Sequence, residues 1–177
     1  FNTLTGTRQK VANYAGVTVE RKEGSFKLPS GDAVRVLDLP GTYSLKPSSL
    51  DEEVTRAVCL GELKGEILPD IFICVVDATN LSLHLSLVLE VRALNRPMIL
   101  VLNMMDEVKK RGISIDKDKL SQLLGIPVVE AVAVKTKGIQ DLINQLDQKN
   151  LFITPYHSEL SHFEQVKQIT KQVILNL

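Results

Sequence analysis

The sequence predicts an α/β fold, in which helices flank a mixed, mostly parallel sheet. Apolar runs of strand length alternate with helical patterns along the 177 residues, and this alternation is typical of βαβ units. Hydrophobic residues make up 44% of the chain, enough for a packed core. Between the first two predicted strands, "LPSGD" has the composition of a hairpin turn, which predicts one antiparallel pair at the sheet edge.

The strands and helices are predicted from the spacing of apolar residues. Strands are expected over 16–22 with 25–28, 33–37, 71–77, 98–102 and 128–132. "SSLDEEVTRAVCLGEL" begins with the capping box Ser49-x-x-Glu52, and "TNLSLHLSLVLEVRAL" has Thr79 or Asn80 as its cap. "DKDKLSQLLG" and "GIQDLINQLDQ" predict shorter helices, and an amphipathic stripe predicts a last helix over 158–177.

Charge and cysteine content narrow the function classes. Lysine plus arginine and aspartate plus glutamate both number 21, which argues against a strongly basic nucleic-acid surface. Cys59 and Cys74 lie within apolar patterns and are expected to be buried, reduced thiols. We therefore expect no nucleic-acid partner and no disulfide framework.

Asp38-x-x-Gly41 follows the predicted strand in "AVRVLDLPGTYSL". Aspartate, proline and glycine are common in ordinary turns. Ligands, however, bind at the carboxyl ends of strands in open α/β sheets, so the same residues are candidates for a binding site. Taken alone, the pattern leaves both interpretations open.

Two further features follow the same rule. Asn103-x-x-Asp106 comes directly after a buried strand, and a carboxylate there can accept both the ring N–H and the exocyclic amino group of guanine. Thr18 precedes a strand, where its hydroxyl could bind Mg²⁺ or simply reflect β-propensity. Asn-x-x-Asp is also found in ordinary capped turns, so each feature has a plain structural alternative.

The order of these features resembles a GTP-binding domain with a P-loop-NTPase-like small G-protein fold. "RQKVANYAGVTVERKEG", "DLPGTYSL", "SLDEEV" and "LNMMDE" resemble the cytoplasmic G domain of the bacterial ferrous iron transport protein B family. The resemblance covers about residues 1–150, the expected G domain. Residues 151–177 resemble the start of that family's helical regulatory extension, truncated here.

The resemblance implies a nucleotide site, residue by residue. Its members are a first switch (Gly16, Val17, Thr18, Val19, Glu20), a second loop (Asp38, Leu39, Pro40, Gly41), a base-reading loop (Asn103, Met104, Met105, Asp106) and a fifth segment (Val132, Ala133, Val134). Thr18 and Asp38 would hold Mg²⁺, Asp38 through water, and the Gly41 amide would meet the γ-phosphate. The backbone near Asn13 and Tyr14 would hold K⁺, although the family usually shows Gly-Asn-Trp where this chain has Ala12-Asn13-Tyr14.

A phosphate-cradling Gly-x-x-x-x-Gly-Lys-Ser/Thr loop does not occur in the 177 residues. "FNTLTG" resembles the helix that follows this loop in the family, which implies that the first strand and the loop are missing ahead of Phe1. Residue 42 is threonine, where many small G proteins carry a glutamine that orients the attacking water. We therefore expect slow hydrolysis, compromised further without the loop.

The resemblance implies a GTPase that converts GTP to GDP and phosphate and regulates ferrous iron uptake. Its implied partner is its own membrane-embedded transporter domain, outside this chain, at the cytoplasmic face of the bacterial inner membrane. A homo-oligomer is compatible with the family. Two alternatives stay open: an RNA- or translation-associated small GTPase, and a nucleotide-sensing module that does not hydrolyse GTP.

Overall fold

The computed structural model describes residues 2–6, 10–131, 136–148 and 158–176. The chain forms two compact units, Phe1–Pro69 and Asp70–Leu177. Within these described ranges, the first unit has one sheet and the second has two, and each unit is described by itself below. None of the helices in the described ranges is long and apolar enough to cross a membrane.

The first unit contains a three-stranded antiparallel sheet in the order β1-β2-β3. Its elements are α1 (Asn2–Thr5), β1 (Lys10–Asn13), β2 (Glu20–Lys27), β3 (Ala33–Asp38) and α2 (Leu50–Leu60). "LPSGD" forms the predicted turn: the Leu28 amide donates to the Asp32 carbonyl at 2.9 Å, and Gly31 has a φ of +95°. The antiparallel pair predicted from this turn is confirmed.

Two details of this unit differ from the prediction. The segments 16–22 and 25–28 were expected to be separate, but Glu20–Lys27 is one strand. Gly24 lies within this strand, and a Cβ atom there would lie 2.6 Å from Cγ2 of Thr5 in α1. Its role is to allow this close approach, which local sequence cannot indicate.

Helix α2 begins with half of the predicted capping box. The Ser49 side chain accepts from the Glu52 amide at 3.3 Å, as expected. The Glu52 carboxylate accepts instead from the amide and hydroxyl of Ser48, both at 2.7 Å. These hydrogen bonds from Ser48 lower the pKa of Glu52. The helix ends at Gly61, which has a φ of +72°.

The second unit contains a parallel sheet and the remaining helices. Strands β4 (Phe72–Asp77), β5 (Met98–Asn103) and β7 (Val128–Glu130) pair in parallel in the order β4-β5-β7. The other elements are α3 (Leu81–Arg92), α4 (Met105–Lys110), β6 (Ile113–Ile115), α5 (Lys117–Leu124), α6 (Thr136–Leu146), α7 (His162–Val173) and β8 (Ile174–Asn176).

The ends of two predicted helices are corrected. Asn80 is the N-cap residue of α3, one of the two predicted, but its side chain makes no capping hydrogen bond; a 3-10 turn over Ala78–Asn80 precedes the helix, and the Asp77 carboxylate accepts from the Thr79 amide at 2.8 Å. The last helix ends at Val173 rather than continuing to 177, because β8 pairs antiparallel with β6. Pairing with a distant strand overrides the helical pattern there.

The cysteine prediction is confirmed for one residue and modified for the other. Both cysteines are free thiols; Cys59 is buried in α2, whereas Cys74 in β4 is only half-buried. Burial raises the pKa of Cys59 to about 11, which keeps this thiol protonated and unreactive at neutral pH.

The strand prediction 128–132 is too long, because β7 ends at Glu130.

Gly138 marks a close contact between α6 and the end of β7. A Cβ atom at this position would lie 2.6 Å from the Glu130 carbonyl oxygen and 2.8 Å from Cα of Ala131. Replacing glycine by alanine inside a helix usually stabilises it by about 1 kcal/mol. Here the overlap is with backbone, which cannot rotate away, so Gly138→Ala should lower the free energy of unfolding by about 1–2 kcal/mol net.

Urea unfolding followed by circular dichroism measures this change. Asp141→Ala, at an exposed position of the same helix, is the matched control and should be close to neutral. A Gly138→Ala variant as stable as the parent chain would show that α6 and β7 do not approach so closely.

Candidate nucleotide site

The loop between β1 and β2 carries the predicted first switch and is closed by backbone hydrogen bonds. The Tyr14 amide donates to the Val19 carbonyl at 3.1 Å, and the Val17 amide donates to the Tyr14 carbonyl at 3.2 Å. Gly16 has a φ of +81°, a conformation that glycine adopts without strain. The loop is therefore a defined turn rather than an irregular segment.

Side chains at both ends of this turn pack against helix α2. Tyr14 and Val19 are 2% and 5% exposed, and they form a core cluster with Val54 and Val58. Thr18 lies between half-buried Val17 and buried Val19 and is itself exposed. The turn thus keeps the Thr18 side chain at the surface, where it can reach a ligand.

The Tyr14 side chain is a core residue, a role that the sequence did not predict. Its hydroxyl oxygen is buried, with no hydrogen-bond partner among the described residues. Burial, and then the negative charge of Glu66, raise the pKa of Tyr14 to about 12, so the phenol stays neutral. Its carbonyl already accepts from Val17, which leaves one lone pair for any cation at this point.

The second loop begins at the same end of the sheet. Asp38 is the last residue of β3 and pairs with Lys22 near the start of β2, the strand that the first switch precedes. Leu39 packs against the Tyr14 cluster, and the Pro40 carbonyl accepts from the buried Thr55 hydroxyl at 2.8 Å. Gly41 is exposed, and a Cβ atom there would meet nothing within 4 Å.

Thr42 occupies the position where many small G proteins carry glutamine. Its hydroxyl donates to the Ser44 carbonyl at 2.6 Å and accepts from the Ser44 amide at 3.2 Å. A single hydroxyl hydrogen is thereby engaged within the loop. Residue 42 does not present a free donor for an attacking water in this arrangement.

In the second unit, the end of β5 forms the predicted base-reading loop. Asn103 ends the strand, Met104 has a φ of +63°, and α4 begins at Met105. Met105 is 2% exposed and anchors the turn, whereas Met104 and Asp106 are exposed. Asn103 and Asp106 are therefore brought to one sharp strand-to-helix turn, with the Asp106 carboxylate at the surface.

Neighbouring strands place further groups at this edge of the parallel sheet. Asp77 pairs in register with Asn103, and hydrogen bonds from Thr79 lower the pKa of its carboxyl. The Ala131 amide donates to the Leu102 carbonyl at 2.8 Å, which carries the chain after β7 alongside β5. Val132, Ala133 and Val134, the predicted fifth segment, lie outside the described residues.

A cluster of charges supports the first unit beside Tyr14. In β2, Arg21 Nη2 donates to Glu23 Oε2 at 2.5 Å and to Glu66 Oε2 at 3.2 Å. Arg21 Nε donates to the other carboxylate oxygen of Glu66. The hydrogen bond with Glu66 raises the pKa of Arg21, and the hydrogen bond from Arg21 lowers the pKa of Glu23. These side chains are largely buried, at 12–20% exposure.

The oxygen donors of the first unit suit a magnesium ion that is bound together with phosphates. No group of three or more His, Cys, Asp or Glu side chains within the described ranges could hold a metal by itself. Mg²⁺ usually keeps several waters and takes only one or two protein oxygens besides phosphate. An exposed hydroxyl at Thr18 and a strand-end carboxylate at Asp38 fit that requirement.

A family model for ferrous iron transport protein B matches residues 1–146. The chain belongs to this family. It is 44% identical over 169 residues to the Fe(2+) transporter FeoB of Salmonella typhimurium and 43% identical to that of Escherichia coli K12. Each match covers 93% of this chain but only 21% of the relative, so the chain spans about a fifth of the length of these relatives.

Solved structures support the same assignment. The cytosolic domain of T. maritima FeoB in a GDP form has a TM-score of 0.85 at 30% identity, covering 99% of this chain and 93% of that one. Its GMPPNP form has a TM-score of 0.82 at 31% identity with the same coverage. The cytosolic domain of L. pneumophila FeoB reaches 0.88 at 30% identity, also over 99% and 93%.

These comparisons confirm the predicted α/β fold of the small G-protein type and identify the chain as an N-terminal G domain of the family. They do not support an RNA- or translation-associated GTPase or a nucleotide-sensing module that does not hydrolyse GTP. The domain boundary at residue 150 and the individual site residues stay predictions.

The charge cluster around Arg21 predicts a pH dependence of stability. Because the pKa of Glu23 is lower in the folded chain, its contribution is present above the ordinary value of about 4.5 and is lost as the pH falls through the folded value. Arg21→Met should lower the free energy of unfolding by about 1–3 kcal/mol at pH 7 and flatten its decline below pH 4.5.

Chemical unfolding at about five pH values between pH 3 and pH 7 measures both the free energy of unfolding at neutral pH and its decline in acid. Arg56→Met is the matched control, since it breaks ion pairs with the more exposed Glu53 and Glu62 and should have little effect. An equally steep acid decline in Arg21→Met and the parent chain would contradict the assignment.

Proposed function

We propose that this chain binds guanine nucleotides and hydrolyses GTP slowly, and that its nucleotide state regulates ferrous iron uptake through a membrane transporter. The observation that carries the proposal is the turn after β5, which brings Asn103 and the exposed Asp106 to one sharp strand-to-helix turn at the end of a buried parallel strand. The relatives are Fe(2+) transporters, and a related domain is known in GDP and GMPPNP forms, which supports the proposal.

The base would be recognised by Asp106. A carboxylate can accept the ring N–H and the exocyclic amino group of guanine together, whereas adenine presents no such pair of donors. An adenine nucleotide would leave the carboxylate desolvated and unmatched, which disfavours it. Asn103 would tie the loop to the base, and the exposed Met104 would flank the ring.

The phosphates would be recognised by the first unit. The Gly41 amide is the proposed donor to the γ-phosphate, within the loop formed by Asp38, Leu39, Pro40 and Gly41. Thr18 in the turn 16–20 and Asp38, through water, would hold Mg²⁺. When bound, this ion neutralises charge on the phosphate oxygens.

Several finer features of the family belong to the proposal. K⁺ would be held by backbone near Asn13 and Tyr14, using the lone pair that the Val17 amide leaves available. Val132, Ala133 and Val134 would line the nucleotide as the fifth segment. The chain would work at the cytoplasmic face of the bacterial inner membrane beside its transporter domain, and we include a homo-oligomer as compatible with this placement.

Slow hydrolysis follows from the loop after Gly41. Thr42 donates its only hydroxyl hydrogen to Ser44, so the attacking water must be oriented by another group. We therefore expect this domain to act as a timed switch rather than a rapid catalyst.

Tight binding also requires a phosphate grip that the 177 residues do not contain. A phosphate loop supplies a lysine and a nest of backbone N–H groups to the β- and γ-phosphates. We define the extended chain as this sequence with about twenty added residues ahead of Phe1, the length of a typical strand and a Gly-x-x-x-x-Gly-Lys-Ser loop. The extended chain should bind GDP tightly, and residues 1–177 only weakly.

Calorimetric titration with GDP compares the two proteins. An extended chain with the loop lysine replaced by alanine controls for the added length and should bind as weakly as residues 1–177. Tight GDP binding by residues 1–177 would contradict the requirement for the loop.

The base assignment has its own test. In the extended chain, Asp106→Asn should weaken GTP binding by about 2–4 kcal/mol, because one desolvated charge-assisted pair is lost. Xanthosine triphosphate should bind better than before, since its extra carbonyl accepts from the asparagine amide. Titration with fluorescent analogues of both nucleotides measures the change in affinity for GTP and for xanthosine triphosphate.

Asp118→Asn, in the first turn of α5, makes the same chemical change at another aspartate and should alter neither affinity. Unchanged GTP affinity in Asp106→Asn would remove the guanine assignment and, with it, the observation on which the proposed function rests.

A further inference from the structure

The Thr55 hydroxyl makes an unusual contact for a threonine inside a helix. Such a hydroxyl commonly bonds back to the carbonyl four residues earlier in its own helix. Thr55 instead donates to the Pro40 carbonyl, 15 residues away, at 2.8 Å. The residue is 5% exposed, and its neighbours Val54 and Val58 are 2% and 1% exposed, so the burial of α2 fixes the position of this donor.

Because the peptide unit is planar, this contact also fixes the direction of the Gly41 N–H. The carbonyl of Pro40 and the N–H of Gly41 belong to one planar trans peptide, in which they point in opposite directions. Because the carbonyl points at Thr55, the Gly41 N–H points away from α2. Gly41 is exposed, with no atom within 4 Å of a Cβ built there, and its N–H makes no hydrogen bond among the described residues.

The flanking residues cannot fix this peptide by themselves. The proline ring restricts its own φ but leaves ψ free to place the carbonyl in either direction. Glycine tolerates almost any φ on the other side. Without an external hydrogen bond, the Pro40–Gly41 peptide can rotate and carry the Gly41 N–H away from the open side.

We propose that Thr55 is a positioning residue, which holds the Pro40–Gly41 peptide so that the Gly41 N–H is presented to the terminal phosphate of a nucleoside triphosphate. The inference rests on the proposed function for the identity of that ligand. Only a triphosphate has the γ-phosphate, so Thr55 acts on the preference for GTP over GDP rather than on guanine nucleotide binding in general.

The orientation of the peptide can be measured without any nucleotide. Pro40–Gly41 is the only Pro-Gly pair in the 177 residues, so labelling proline carbonyls with ¹³C and glycine amides with ¹⁵N gives a single carbonyl–amide correlation. Hydrogen bonding moves a carbonyl carbon resonance to lower field. Thr55→Val, which keeps the shape but removes the donor, should move the Pro40 resonance to higher field, and Thr55→Ser should leave it near the parent position.

The effect on ligand preference is measured in the extended chain with GDP and with GMPPNP. Thr55→Val should lower the affinity ratio of GMPPNP to GDP by about 3- to 10-fold, the range expected for one hydrogen bond, and Thr55→Ser should restore it. Ser49→Ala, which removes the N-cap of the same helix but leaves Thr55 in place, controls for loss of stability and should not change the ratio.

The outcomes separate the inference from the proposed function. An unmoved Pro40 resonance in Thr55→Val, or an unchanged or increased affinity ratio, would overturn the role of Thr55. An equal fall of the ratio in Ser49→Ala would show that only helix stability matters, and would also overturn it. Failure of the parent extended chain to bind either nucleotide would contradict the proposed function, while the carbonyl resonance still decides whether Thr55 orients the peptide.

Discussion

The first unit depends on burial of one face of helix α2 against the turn that precedes β2. Tyr14 and Val19 pack on Val54 and Val58, and this contact holds the hydrogen-bonded turn against the helix. The same helix carries Thr55, which holds the loop after β3. Because both predicted phosphate-side loops are fastened to one helix, a shift of α2 would move them together, as expected for a nucleotide-dependent switch.

The second unit depends on a different constraint, the parallel register of β4 and β5. Pairing from Phe72 with Met98 to Asp77 with Asn103 brings two strand ends to the same level. Their polar residues then have separate tasks. Asp77 starts the next helix by accepting from Thr79, and Asn103 leads into the sharp turn at Met104. The left-handed conformation at Met104 redirects the chain at once, so Asp106 emerges at the surface within three residues of a buried strand.

The strands and turns that depend on neighbouring residues alone are the ones that the sequence predicts. Strands β4 and β5 are nearly continuous apolar runs, and the turns after β2 and β5 have characteristic residues, so these were predicted within a few residues. β1 was missed because all four of its residues are exposed, and β6 and β8 because three-residue strands have no readable period. The site residues came from order along the chain and from resemblance. The hydrogen bond from Thr55 to Pro40 and the burial of Tyr14 depend on contacts between residues that are far apart in sequence, which no local pattern encodes.

The division of proposed roles between the units has a thermodynamic consequence. GDP and GTP have the same base, so the proposed contacts of Asn103 and Asp106 with that base would stabilise both bound states equally. Discrimination between the two nucleotides can come only from groups that interact with the γ-phosphate or with the loops that respond to it. Among the described residues, the groups proposed for this role are Thr18, Asp38 and Gly41, whose loops contact α2 or continue strands of the antiparallel sheet. Under the proposed function, Thr18, Asp38 and Gly41 would therefore contribute to the difference in affinity between GTP and GDP, whereas Asn103 and Asp106 would determine the choice of base.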